Sequence, residues 1–326
     1  MSGEIIINKN FYIIFFLTQI VFFAQKFEVK NYNKNNSQIP SNTIQAIEFD
    51  NENNIWLGSG DVGLIKFDQK SFTNFNKSNS KLSSDNVFAL AIDSTNNLWI
   101  GTFGGGAAKL NLSNYQFITF SDQNSGIKHN WIYSIAIDKE NNKWFGTWGS
   151  GLVKFDDKNW NNFNNENSPI PTYKVPSVFV DKNDTKWIGT LKGLLNFENE
   201  NWTWFNEKYS LPEISVYSVI VDKNSTVWVG YKKGGLGKID SNGIQHFTTE
   251  NSKLLSNIIY SLAEDIDGSI WIGSFGSGLV HIINSEWSVF NKSNSFLEDD
   301  LVFKILVNKE GYKFVGTNSK GLYVFK

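Results

Sequence analysis

The chain has 326 residues, 30 basic and 32 acidic side chains, a net charge of −2 and no cysteine. This near balance leaves no basic field for nucleic acid. The lack of cysteine excludes a disulfide framework and a lipoprotein acylated on an N-terminal cysteine.

The first element is an uncharged apolar run, Phe11–Ala24, preceded by Lys9. It is short for a membrane span, and Ala24 ahead of Gln25 suits cleavage. Residues 1–25 therefore read as a signal peptide whose removal leaves no stable membrane span and a periplasmic or secreted protein. Residues 26–326 read as one domain.

That domain is built from a recurring unit. Trp56-Leu-Gly58-Ser, Trp99-Ile-Gly101-Thr, Trp144-Phe-Gly146-Thr, Trp187-Ile-Gly189-Thr, Trp228-Val-Gly230-Tyr, Trp271-Ile-Gly273-Ser and Phe314-Val-Gly316-Thr lie 43, 45, 43, 41, 43 and 43 residues apart. A period of this length marks a repeat architecture whose units bury their apolar faces against one another. The second unit shows the pattern. Val87–Ile92 is a continuously apolar strand, expected to be buried on both faces, and Asp93–Asn97 is a polar turn. Leu98–Thr102 is a second strand, Gly104–Gly106 a turn, Ala107–Leu110 a third strand, and Tyr115–Phe120 a more polar fourth. No stretch shows the 3.6-residue period of an amphipathic helix. Four short strands per unit, ordered from apolar to polar, predict an all-β, seven-bladed β-propeller with four antiparallel strands per blade, the first strand at the axis and the fourth at the rim.

The repeated polar residues have structural explanations. Asp50, Asp93, Asp138, Asp181, Asp222 and Asp265, with Asn308 in the seventh unit, stand six residues before the aromatic. They read as Asx-type turns, and Asp265-Ile-Asp267-Gly268 lacks the distal carboxylate of a calcium loop. No metal or cofactor is expected. Ser37, Ser80, Ser125, Ser168, Ser210, Ser252 and Ser295 recur in the connections between units, a turn role. The anchor aromatics read as packing between blades.

The last repeat stops after its third strand, Gly321–Lys326. Its missing fourth strand appears at the other end, where Phe27–Ser37 matches Glu286–Ser295. Residues 27–33 are therefore expected to complete the last blade and close the ring, removing open sheet edges.

Read as a whole, the unit runs Asn-Ser, a spacer, Asn-x-[Val/Ile]-x-[Ala/Ser]-[Ile/Leu]-x-x-Asp, then Asn-x-Trp-Ile-Gly-Thr-x-x-Gly-Gly-Leu. It resembles the two-component regulator propeller repeat across essentially all of residues 27–326. The resemblance implies kinship with the periplasmic sensor propellers of hybrid histidine kinases, many of which respond to oligosaccharides. In that family a second propeller, a β-sandwich, a membrane helix and a kinase follow. None follows Lys326, so the resemblance implies an exported binding module that does not signal by itself.

Function is expected on the face where the second-to-third-strand loops and the blade connections meet, around the central channel. The candidate ligand-binding residues there are Phe103, His129, Trp131, Trp148 and Phe275, with Lys192, Lys232, Lys233 and Lys320. Exposed rings suit sugar stacking and lysines suit an anionic group. Phe88, Tyr133, Tyr217, Tyr260 and Phe303, at one position of the first strands, read as packing residues. His129, His246 and His281 fall on different elements, which argues against a three-histidine metal site, and every carboxylate at a repeated position has a turn role, so catalysis is not expected. The expected role is a non-catalytic binding or interaction propeller for an oligosaccharide or a protein. The alternatives are a polysaccharide lyase or glycosidase on a propeller scaffold, or a protein scaffold with no small ligand.

Overall fold

The computed structural model describes residues 27–205 and 215–326. The expected signal peptide lies outside the described residues, as does Ser210.

Six units each form a four-stranded antiparallel sheet in simple sequential order, and with a seventh sheet completed by the first strand they form the blades of a β-propeller. Blade two is typical, with strands Val87–Ile92, Asn97–Thr102, Ala107–Asn111 and Gln116–Phe120 running from axis to rim. The seventh blade is completed as expected. Val29–Tyr32 pairs with Leu322–Phe325 in the register Val29 to Phe325 and Tyr32 to Leu322. The Asn31 side-chain amide reinforces the seam by donating to the carbonyls of Lys320 and Leu322.

The most buried strand of a blade is the second, not the first. Lys143–Thr147, Lys186–Thr190 and Ile270–Ser274 are buried at every position, whereas Val87–Ile92 leaves Phe88 and Ile92 half-exposed. The second strand has a blade on either face and a strand on either side. The first strand borders an axial tunnel along its inner edge, so the expectation of burial on both faces fails there.

The blades pack as consecutive pairs. Ala46, Trp56 and Leu64 of blade one share a core with Val87, Leu98 and Leu110 of blade two. Across the seam, Ile44 and Ile55 of blade one pack with Phe314 and Leu322 of blade seven. Trp99 is fully buried and meets Phe145 and Phe155 of the next blade edge-on, with centroids 5.8 and 5.9 Å away. Gly101 accounts for the aromatic-x-Gly signature, because a Cβ there would lie 2.8 Å from Ile132 of the neighbouring blade. Gly106 serves another need, since its φ of +77° and its nearness to the Phe120 carbonyl leave no room for a side chain.

The recurring aspartates do more than turn the chain. Asp93 Oδ1 accepts the backbone N–H groups of Thr95 and Asn97, and Oδ2 accepts the indole N–H of Trp99 at 2.9 Å. The same indole bond occurs at Asp50, Asp138, Asp181, Asp222 and Asp265. Blade seven has no indole to accept, and there both partners change together, to Asn308 and Phe314. Position three of each turn is left-handed and is filled by Asn53, Asn96, Asn141, Asp184, Ser225, Gly268 and Gly311, residue types that tolerate positive φ. The recurring serines hold the connections: Ser80 Oγ donates to the Asn76 carbonyl at 2.7 Å and accepts from the Leu82 amide.

Three inward lysines tie blades together. Lys143, Lys186 and Lys313 immediately precede the anchor aromatic and reach over Trp99, Trp144 and Trp271 of the preceding blade at 5.3, 5.7 and 5.6 Å. Lys313 also pairs with Asp265 at 3.0 Å, with both side chains buried.

Candidate functional site

The tunnel holds a cavity of about 720 Å³ bordered by the first strands of all seven blades. Its size falls within the range of small-molecule sites. The wall has a repeated local cause. In six first strands the pairing slips near the start, at Ile44/Ala46, Val87/Ala89, Ile132/Ser134, Val216/Ser218, Ile259/Ser261 and Val302/Lys304. The residue inside each irregularity is Gln45, Phe88, Tyr133, Tyr217, Tyr260 or Phe303, and Pro176 takes that place in blade four. An extra residue in one strand re-aims its side chain, and all seven border the cavity.

Five of the seven are aromatic and form a collar. Phe88 and Tyr133 stand 4.8 Å apart, Tyr217 and Tyr260 5.8 Å, and Tyr260 and Phe303 5.8 Å. All five are half-exposed. The expectation that they are packing residues is therefore corrected, because their rings wall a space as well as touching one another. The signal was present in the sequence: a position that accepts Gln45 and Pro176 is not a core position. Burial pushes the Tyr133 and Tyr260 hydroxyls above the ordinary phenol value, and the nearby tyrosines add to the shift. Both remain hydrogen-bond donors at neutral pH.

The structure divides the residues singled out from the sequence. Trp148 and Lys232 border the cavity. Trp148 stacks on Tyr133 at 4.5 Å beneath the Lys174 ammonium, and Lys232 lies 5.4 Å over Tyr217. Phe103, Trp131 and Phe275 stand one layer out. Phe103 stacks on Trp131 at 4.1 Å, spending one face of each ring on the junction of blades two and three. Phe275 is 45% exposed and meets Tyr260 edge-on at 6.0 Å. His129 accepts the Trp131 backbone N–H on Nδ1, and burial holds its pKa below the usual value against the pull of Asp122. Lys192, Lys233 and Lys320 do not border the cavity. The Lys320 ammonium is taken up by Glu298 at 3.0 Å.

Two charges that sequence reasoning did not single out lie in the tunnel wall. Lys304 follows Phe303, one level below the collar, and Glu48 sits two levels deeper than Ala46, the blade-one equivalent of Lys304. Lys304 borders the cavity, and both residues are half-buried. Burial pushes the Glu48 carboxyl up, against the Phe49 N–H at 2.9 Å and the field of Lys304. Burial pushes the Lys304 ammonium down, against the field of Glu48. Among the described residues no group of three or more His, Asp or Glu side chains is placed to hold a metal, and no helix is long and apolar enough to cross a membrane.

The two component regulator propeller model matches residues 38–61, 81–104 and 253–276, which span the start of blades one, two and six. These three stretches carry the two component regulator propeller repeat. No curated protein matches it in sequence. Among solved structures it is similar to the extracellular domain of BT3049 from B. thetaiotaomicron, assigned to a hybrid two component system, at 18% identity and a TM-score of 0.77, covering 92% of this chain and 42% of that one. The extracellular domain of BT4673 from the same organism gives 19% identity, a TM-score of 0.75 and coverage of 92% and 40%. The chain thus spans less than half the length of these relatives. A catalytically inactive virginiamycin B lyase from Staphylococcus aureus, solved with quinupristin, shares the fold at 12% identity and a TM-score of 0.75, covering 92% of this chain and 99% of that one.

Proposed function

We propose that this propeller is a non-catalytic binding module that acts outside the cytoplasm and takes a saccharide at the mouth of its tunnel. The aromatic collar carries this reading. Five half-exposed rings around one cavity offer flat apolar faces at little conformational cost, and the Tyr133 and Tyr260 hydroxyls supply donors among them. Kinship with extracellular domains of two component systems supports a sensing or ligand-presenting role. It also supports export by the signal peptide expected in residues 1–25.

Lyase propellers share the fold, but the histidines here are committed elsewhere. His281 stacks on Trp271 of its own blade at 4.1 Å, and His129 is turned to its own backbone. Isothermal titration calorimetry against a panel of neutral and acidic oligosaccharides tests the proposal. Binding by the protein that is lost in a Tyr133→Ala/Tyr260→Ala double variant of unchanged thermal midpoint supports it. Equal binding by the two proteins removes the collar as the site.

A further inference from the structure

One level below the collar, six blades carry a small residue: Ala46, Ala89, Ser134, Ser177, Ser218 and Ser261. Blade seven alone carries a long cation there, Lys304, paired across the sheet with Gly316. The other inward lysines have partners, Lys143 with Asp157, Lys186 with Asp184 and Lys313 with Asp265. Lys304 borders the cavity and makes no hydrogen bond or ion pair of its own among the described residues. Holding a half-buried ammonium with no hydrogen-bond partner and only the field of Glu48 beside it is costly, and an apolar residue of equal length would fill the same space without that cost. A cation placed in this way at the edge of a cavity suits an anionic occupant.

Building on the saccharide reading, we infer that Lys304 selects saccharides bearing a carboxylate, as in a uronic acid, and holds that carboxylate beneath the aromatic collar. The occupant chemistry follows from the two layers. The rings present flat apolar faces for a pyranose, and the level below presents one cation, Lys304, for the carboxylate. Glu48 does not pre-empt the contact. It lies two levels deeper, its carboxyl is engaged by the Phe49 N–H, and an anion entering from the mouth meets Lys304 first. A charge-assisted bond in an enclosed site is stronger than the neutral bonds a hydroxyl would make.

The test is calorimetric titration of the protein with trisaccharides of galacturonic acid and of glucuronic acid, alongside the neutral galactose and glucose trisaccharides. At least one acidic ligand is expected to bind about tenfold more tightly than its neutral counterpart. That advantage should vanish in Lys304→Met and survive in part in Lys304→Arg, with thermal midpoints close to the parent. An acid preference unchanged in Lys304→Met, or no preference in the parent, overturns this inference while leaving the collar reading intact, because neutral ligands would still bind. Failure of all four ligands to bind overturns both.

Discussion

Trp99 Nε1 donates to Asp93 Oδ2 at 2.9 Å, and that one bond fastens the turn at the inner end of the blade to the packing between blades. Burial works against the Asp93 charge, but the bonds from Trp99, Asn97 and Thr95 outweigh it and hold the carboxyl below its ordinary value of 3.8. The folded-state pKa is lowered, so the charge contributes stability above pH 3.8 that is lost as pH falls through the lowered value. Replacing Asp93 by Ala is expected to cost about 2–3 kcal/mol at neutral pH, because a buried indole N–H and two backbone donors lose their acceptor. Thermal melts of both proteins across pH 2–7 should show the gap narrowing in the acid range. A gap independent of pH would contradict the charge-based account.

The pairing of Asn308 with Phe314 offers a transplant. An Asp138→Asn/Trp144→Phe protein should lose less stability than the sum of its single variants, because each single change strands a group the other removes. Urea unfolding of the three variants checks this, and strict additivity would show that the two residues act independently.

Closure depends on Phe27 as well as on strand pairing. Its ring meets Trp271, Phe290, Phe296 and Phe325 at 6.1, 5.4, 5.8 and 5.1 Å. Phe27→Ala is expected to cost about 2–3 kcal/mol, below the usual range for a full core phenylalanine because the side chain is half-buried. Deleting residues 27–36 should lower the thermal midpoint further and promote association through the exposed Leu322–Phe325 edge. Calorimetry and light scattering read the two effects.

Collar residues should separate binding from stability. Tyr133→Ala removes a half-exposed ring and is expected to cost about 1 kcal/mol or less in folding while weakening saccharide binding at least tenfold. Trp144→Ala, at a residue 1% exposed, should do the reverse, costing about 3–5 kcal/mol. Parallel melts and titrations distinguish the two.

Acidic ligands should also bind with a pH signature. Only the protonated Lys304 attracts a carboxylate, and its pKa is lowered by burial. Affinity for a uronic acid should therefore fall as pH rises through that lowered value, while affinity for a neutral saccharide stays level. Titrations between pH 6 and 10 check this.

The ring was legible because it is written seven times. The aromatic-x-Gly period, the Asp six residues earlier and the orphan strand at Phe27–Asn33 each repeat a physical requirement, and their recurrence separates structure from chance. The site was less legible because it resides in departures from the repeat. Phe88 and Tyr133 resemble core residues until a slip in pairing turns them to the tunnel, and in the sequence only Gln45 and Pro176 at the equivalent places mark that slip. Lys304 occupies a place where every sister residue is Ala or Ser, a contrast that gains meaning only once the seven first strands share one wall. The three lysines that cross between blades stayed hidden for the same reason, since Lys143, Lys186 and Lys313 replace Ile55, Leu98, Val227 and Ile270 of the other units.

The seam between Val29–Tyr32 and Leu322–Phe325 also dictates an order of assembly. Its two partners are separated by nearly three hundred residues, so their pairing is the contact of greatest sequence separation in the ring. The ring can close only after both strands are present, so closure joins residues nearly three hundred positions apart in the chain.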